Sequence, residues 1–457
     1  MSQPDPGRRG DPAPKRVGMV IAGAGARGAY EAGALSVIVP RLAAAGARPR
    51  VFVGTSAGAI NATVLAAGAH LSADEQAAAL LRVWRRIGPR DVFGPLLVST
   101  PRTAGTWLGQ RLGIRGVRLT GLVDTTPLSR TADAAVDWEQ LRTNVERGDC
   151  QALAVVATSG RTGRTVVFSD LAPGSTLPPA DEDRALDYVA ASVGSAHVRA
   201  SAAIPVVFPP VQVTEPPEGT GWYLDGGVRL NAPLKPALDL GCDAVVVAAT
   251  HPDNHAVDPR TAQAPHDRPD VDDALVMLLD AAFVDRMVED LRTLTKVNEL
   301  VAAGGARRRT GRPMSVVPYL FAGPPERATL SRLAADVYRD HFTGLRGALR
   351  SLLEPDLPLL AQLLGGDGPR RGDVLSYLLF DPEFIARAIA LGQEHATALF
   401  AAAPGTRVPW RTEPGAPPTT PAPPGGHGTG AGSGDEGPVP QPRPARSGAS
   451  TLPGGGT

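Results

Sequence analysis

The apolar positions fall in short continuous runs separated by longer stretches of helical spacing. Val17 to Ala22 (VGMVIA) predicts a buried strand, and Ala29 to Ala45 a helix after it. Arg50 to Val53 predicts a second strand and Ala57 to Ala67 a second helix. Ala152 to Thr158, Thr165 to Phe168, Val206 to Val213 and Ala244 to Ala249 are further strand candidates. Runs that are apolar throughout, rather than at every other position, belong to strands covered on both faces, as in a mainly parallel sheet. The pattern therefore predicts a three-layer α/β/α domain. The last folded third differs. Asp272 to Ala303, Leu330 to Leu353 and Pro382 to Ala402 have helical periodicity, with one more strand expected at Ser315 to Phe321. Leu352 to Leu364 is apolar but broken by prolines, which fits either core packing or a lid over an acyl pocket.

The ends change the picture. Residues 1–15 are polar and proline-rich, and after Trp410 the only bulky aliphatics are Val439 and Leu452. Neither segment can bury enough apolar surface to offset its ordering entropy, so a disordered leader (1–15) and a disordered Pro/Gly-rich tail (404–457) are expected. The leader lacks the apolar stretch of a secretory signal, and no uncharged apolar run reaches the ~18 residues of a membrane span. A cytoplasmic protein is expected. The 457 residues carry 46 basic and 46 acidic side chains, which excludes a whole-chain field drawing the protein to nucleic acid or an anionic membrane. Cys150 and Cys242 lack metal-ligand spacing; they read as two buried thiols, with a single bridge as the other reading. No metal and no cofactor are expected.

Gly23-Ala24-Gly25-Ala26-Arg27-Gly28 lies directly between a strand and a helix. Glycines there let the backbone turn sharply and leave N–H groups open at a helix N-terminus, where negative charge is stabilised. Such a loop is common in dinucleotide sites, which need an acidic residue at the end of the second strand. That strand ends instead in Gly54-Thr55-Ser56-Ala57-Gly58. A GxSxG turn between strand and helix forces its serine into a tight elbow with Oγ exposed above the sheet. The plainer reading of the pentapeptide is a turn with a capping serine. Loops at the carboxyl ends of parallel strands gather on one edge, so the glycine loop can lie beside Ser56. The N–H groups of Gly25, Ala26, Arg27 and Gly28 are then candidates for an oxyanion hole, with the Arg27 side chain fixing the loop.

A serine nucleophile needs a base. Asp225, followed by Gly226 and Gly227, ends a short apolar segment. Alone, Asp-Gly reads more readily as a hairpin turn.

Taken together, GAGARG, then GTSAG about thirty residues on, then DGG further downstream resemble the patatin-like phospholipase family. Ala200 to Pro210 (ASAAIPVVFPP) and Asn231-Ala232-Pro233 are similar to its segments on either side of the aspartate. The resemblance covers about residues 16–250, the expected catalytic domain, and is looser over a mainly helical region 251–403 packing on it. It implies a Ser–Asp dyad: Ser56 attacks an ester carbonyl, Asp225 accepts its proton, the loop from Gly23 to Gly28 supplies the oxyanion hole, and water releases the acyl group. The implied substrate is a lipid or phospholipid ester, met in transient contact with a membrane surface; no nucleic-acid partner and no particular oligomer is implied.

Three other readings stay open. His251 follows a strand and gives the order Ser56, Asp225, His251 of an ordinary Ser–His–Asp hydrolase, with His197 and His255 also available. An acceptor other than water would make the protein an acyltransferase. A Rossmann-like binding scaffold would need no chemistry.

Overall fold

Strand β1 (Val17–Ile21) is the centre from which the sheet is built, flanked in parallel by β2 (Pro49–Thr55) and β8 (Ala244–Ala248). The computed structural model describes residues 16–94, 125–254, 286–304, 315–342, 371–401, 403, 405 and 407–412. Beyond β2 lie β3 (Ala152–Ser159), β4 (Thr165–Leu171) and β5 (Leu186–Ala190), and beyond β8 lies β9 (Tyr319–Ala322). β2–β3, β8–β9 and β4–β5 are parallel, while β3–β4 is antiparallel. A short hairpin, β6 (Val211–Val213) and β7 (Gly221–Asp225), completes the sheet by pairing β7 antiparallel to the end of β3.

The continuous apolar runs are explained by two cores. Met19 and Ile21, Phe52, Leu153 and Val155 point into one, and Val20, Val51 and Val53, Ala154 and Val156 into the other. Period-two alternation is hidden in the sequence because both faces are dry. Helices α1 (Gly28–Ala44), α2 (Ala57–Ala67) and α3 (Ala73–Arg86) cover the first face. The short α4 (Pro89–Val92), α5 (Thr126–Ala135), α6 (Trp138–Arg147) and α7 (Ser195–Ser201) continue that layer. Helices α8 (Leu234–Asp239) and α9 (Arg286–Ala302) pack on the second face. The fold is a three-layer α/β/α arrangement on a mostly parallel sheet.

Near the carboxyl end, α10 (Thr329–Phe342), α11 (Arg371–Leu378) and α12 (Pro382–Ala401) follow β9. α12 lies along α1, tied by Tyr30 Oη and His395 Nδ1 at 2.9 Å. Of the expected helices, α9 and α10 are the described parts of 272–303 and 330–353; 352–364 and His255 lie outside the described residues. Cys150 and Cys242 are unbridged and buried, and burial pushes both thiols up.

The expected strand over 206–213 is a correction. Only Val211–Val213 is strand. Pro205, Pro209 and Pro210 remove backbone donors, and the chain turns instead, with Phe208 N donating to Ile204 O at 2.8 Å. Val206 stands at the tip with φ +71° and 71% exposure.

Candidate active site

Ser56 and Asp225, 169 residues apart, meet because two strands share one edge of β3. On that edge Thr55 of β2 pairs with Val156, and Asp225 of β7 pairs with Ala157, the next residue along. β2 therefore stops where β7, running the other way, begins its pairing. The Ser56 hydroxyl donates to Asp225 Oδ2 at 2.6 Å, and Asp225 Oδ1 accepts from Gly227 N at 2.7 Å. Thr158 Oγ1 donates to the Asp225 carbonyl at 2.9 Å and pins the strand end.

The elbow itself is strained. Ser56 sits at φ +56° and ψ −127°, between the last residue of β2 and the first of α2. A Cβ at Gly54 would strike the Gly58 carbonyl, and one at Gly58 would strike the carbonyls of Ile21 and Ala22 on β1. Only glycines let strand, serine and helix come this close, which is why the two glycines bracket the serine. Ser201, at the end of α7, locks the turn: its Oγ accepts from Ser56 N at 2.8 Å and donates to Val156 O at 2.5 Å. Sequence reasoning singled out the stretch that holds Ser201 but not the residue.

The Asp225 carboxyl is 2% exposed. Burial pushes its pKa up to about 7, against the lowering effect of the Ser56 hydroxyl and the Gly227 N–H. A carboxylate whose proton affinity is raised toward neutrality is a competent acceptor for a hydroxyl proton held at hydrogen-bonding distance.

The glycine loop lies beside the elbow, with Gly23 N bonded to Asn231 O at 3.1 Å. Residues Gly25–Arg27 form a single tight turn. That turn consumes two of the four expected donors, because Arg27 N donates to Ala24 O at 3.0 Å and Gly28 N to Gly25 O. The N–H groups of Gly25 and Ala26 remain at the N-terminal side, and Gly25 shares a narrow apolar cavity with Ser56.

Arg27 turns its side chain away from Ser56 and is fully buried. Nε donates to Ser376 Oγ at 2.7 Å, and Nη2 to Ser331 Oγ and the Asp373 carbonyl at 3.2 Å each. The Asp373 carboxylate is 3.5 Å away and the Tyr377 ring lies 4.0 Å below the guanidinium. Nη1 meets His251 Nε2 at 2.9 Å, where Tyr377 Oη also sits at 2.8 Å. Since a guanidinium only donates, Nε2 accepts and the ring proton resides on Nδ1, which has no partner among the described residues. Burial, then the charges of Arg27 and Arg327, hold the imidazole well below its usual pKa. His251 is thus a neutral acceptor engaged with Arg27, and its described hydrogen bonds reach neither Ser56 nor Asp225. His197 caps Gly194 N at 3.1 Å and bonds the Glu215 carbonyl at 2.9 Å.

A serine elbow on a β–α turn, a buried carboxylate against its hydroxyl and a glycine turn ahead of the adjoining helix thus meet at one edge of an α/β/α sheet. Residues 19–238 match the family model described as patatin-like phospholipase, and over that region the chain is similar to this family. It is a lipid acyl hydrolase in the general sense that the family carries. No curated protein matches the chain. Among solved structures it is similar to VipD from Legionella pneumophila, at 15% identity and a TM-score of 0.27, over 84% of this chain and 68% of that one.

Proposed function

We propose that the protein hydrolyses a lipid carboxylic ester, of the phospholipase A or lysophospholipase type, with Ser56 as nucleophile and Asp225 as its general base. The observation that carries this reading is the 2.6 Å hydrogen bond from Ser56 Oγ to Asp225 Oδ2. Oγ attacks the ester carbonyl carbon as its proton passes to Asp225. The N–H groups of Gly25 and Ala26, at the start of α1, take up the charge developing on the carbonyl oxygen, each such donor being worth ~3 kcal/mol. Asp225 returns the proton to the departing alkoxide, leaving an acyl-serine. Water then attacks the acyl carbon, again losing its proton to Asp225, and the acid departs as Oγ is reprotonated.

In this reading Gly23, Gly54, Gly58, Gly226 and Gly227 shape the turns, residues 16–250 carry the chemistry, and residues 251–403 brace it. Arg411 exchanges backbone hydrogen bonds of 2.8 Å with Tyr319 of β9, so residues 407–412 pack with the folded region rather than with the tail expected from 404. Among the described residues no helix is long and apolar enough to cross a membrane. The two unbridged, buried cysteines fit a reducing cytoplasm.

Fluorophosphonate labelling with peptide mapping tests the reading. Wild type should be modified at Ser56, and Ser56→Ala and Asp225→Asn, each folded by circular dichroism, should not. A folded wild type that neither reacts nor hydrolyses lipid in vesicles ends the proposal.

A further inference from the structure

From the residue after α7 to the first residue of β6, Ala202 to Val211, the chain carries no polar side chain. This apolar loop is built onto the site. At its base Asp225 N donates to Ala203 O at 2.9 Å. Its two legs, Ile204 and Phe208, line the apolar cavity at Ser56 and are closed into a turn by the bond from Phe208 N to Ile204 O. Val206 stands midway between the legs, no more than ~7 Å of chain from either. Its neighbour Val207 is buried, whereas Val206 is exposed.

Two features separate Val206 from an apolar residue scattered on a surface. One is its backbone, at φ +71°. A β-branched residue is a rare occupant of left-handed backbone, which glycine and asparagine adopt far more readily. Packing does not offset that strain, because the side chain touches little of the protein. The other is its company. Among the described residues the exposed large apolar side chains are Val206, Trp222, Val228 and Leu300. The first three lie within three residues of Ala203 or Asp225, the pair joined beside Ser56. Water gives an apolar tip in strained backbone no reward, whereas an acyl layer rewards it by removing its surface from water. No charged residue lies between Arg199 and Glu215, so attraction to this loop is apolar rather than ionic.

We propose that the loop from Ile204 to Phe208 is where the protein enters its lipid surface. Val206 inserts among the acyl chains of a zwitterionic phospholipid layer, and the layer's esters are thereby brought to the Ser56 cavity that the loop's own legs line. This inference rests on Ser56 being the catalytic serine.

The test uses the full-length protein, phosphatidylcholine vesicles, and nitrophenyl butyrate as a soluble ester. Partitioning is measured by vesicle flotation, beside the ratio of vesicle to soluble-ester turnover. Val206→Asn suits the left-handed backbone but replaces the apolar tip; it should weaken partitioning by about tenfold and lower the ratio with it. Val206→Gly removes tip and strain together. It should melt at or above the wild-type temperature while losing as much partitioning, a pair of results that misfolding does not give. Leu300, 63% exposed on α9, is the control: Leu300→Asn should partition as wild type does. Wild-type partitioning should persist at high salt and without anionic lipid.

Val206 variants that bind vesicles as wild type does overturn the loop. So does an equal loss in Leu300→Asn, or binding that appears only with anionic lipid and disappears in salt. Fluorophosphonate labelling of the same samples separates the surface from the chemistry. Labelled Ser56 with no effect of Val206 removes the loop alone. An unlabelled, inactive wild type whose vesicle binding still depends on Val206 removes the catalytic reading and keeps the surface.

Discussion

Arg27 donates through Nη1 to His251 Nε2 at 2.9 Å, a contact that makes Nε2 the accepting nitrogen and, after burial, helps to hold the imidazole neutral. An imidazole whose acceptor nitrogen already holds a guanidinium cannot also take a proton from a serine. His251→Ala should therefore keep most of the wild-type kcat while losing ~1–3 kcal/mol of stability, the cost of a buried donor left short of a partner. His251→Gln, which restores an acceptor, should recover part of that stability. Thermal melts and ester kinetics decide the matter; a folded His251→Ala enzyme slowed by several orders of magnitude would make the histidine a member of a triad.

The buried Asp225 carboxyl gives two pH dependences of opposite sign. As a base it works only when ionised, so kcat/KM should rise with pH through about 7. For stability the direction reverses. The folded protein holds this proton more tightly than the unfolded chain, whose carboxyl titrates near 3.8. The contribution to folding is therefore complete below that value and is lost as pH rises through about 7, on the order of 4 kcal/mol in all. Asp225→Asn cannot ionise; it should be inactive, and relative to wild type it should gain stability between pH values of about 4 and 7. Parallel denaturation curves across pH for the two proteins would refute this.

The strained elbow predicts a trade of function against stability at one atom. Ser56→Ala and Ser56→Gly both remove the hydroxyl and both should abolish acyl transfer to the protein. They differ in the cost of holding a Cβ at φ +56°, ψ −127°. Ser56→Gly should exceed Ser56→Ala in stability by ~1–3 kcal/mol by chemical denaturation. Equal stabilities would mean that the turn stores no strain.

Gly58→Ala drives a methyl group into the carbonyls of Ile21 and Ala22, which belong to the central strand and the residue after it. Neither can retreat without breaking the sheet. A loss of about 3 kcal/mol or more is expected, with activity falling because the elbow moves. The readout is the melting temperature beside residual fluorophosphonate labelling; a variant that melts with wild type and labels normally would show that the helix start can shift freely.

Much of this site is legible in the sequence because its chemistry is local. GTSAG fixes a strand, a forced turn and a helix start within a few residues. In the glycine loop only Gly25 needs its left-handed backbone; Gly23 and Gly28 are glycines because a Cβ would strike Asn231 and Trp84, contacts made by the fold. Apolar continuity in β1, β2, β3 and β8 signals a sheet covered on both faces, since two dry faces leave no polar positions to alternate. Local pattern failed at Val206 to Val213, where β-branched residues suggested a strand and Pro209 and Pro210, with Pro205 just before, withheld the donors that a strand requires.

Tertiary structure decided the rest, because pairing across long separations leaves no mark on either partner's neighbours. That Asp225 is a strand end beside Ser56, and not a hairpin turn, follows from β7 taking the place along β3 that β2 vacates after Thr55. Ser201 became part of the elbow through a hydrogen bond spanning 145 residues. Arg27 is a charged residue in a glycine loop by sequence; the fold buries it and surrounds it with Ser331, Ser376 and Tyr377, from helices far along the chain. The identities of the proposed nucleophile, its flanking glycines and the proposed base lie in the sequence because each place needs one residue type. Their distances, the elevated proton affinity of Asp225 and the neutrality of His251 exist only once burial has removed water from around them.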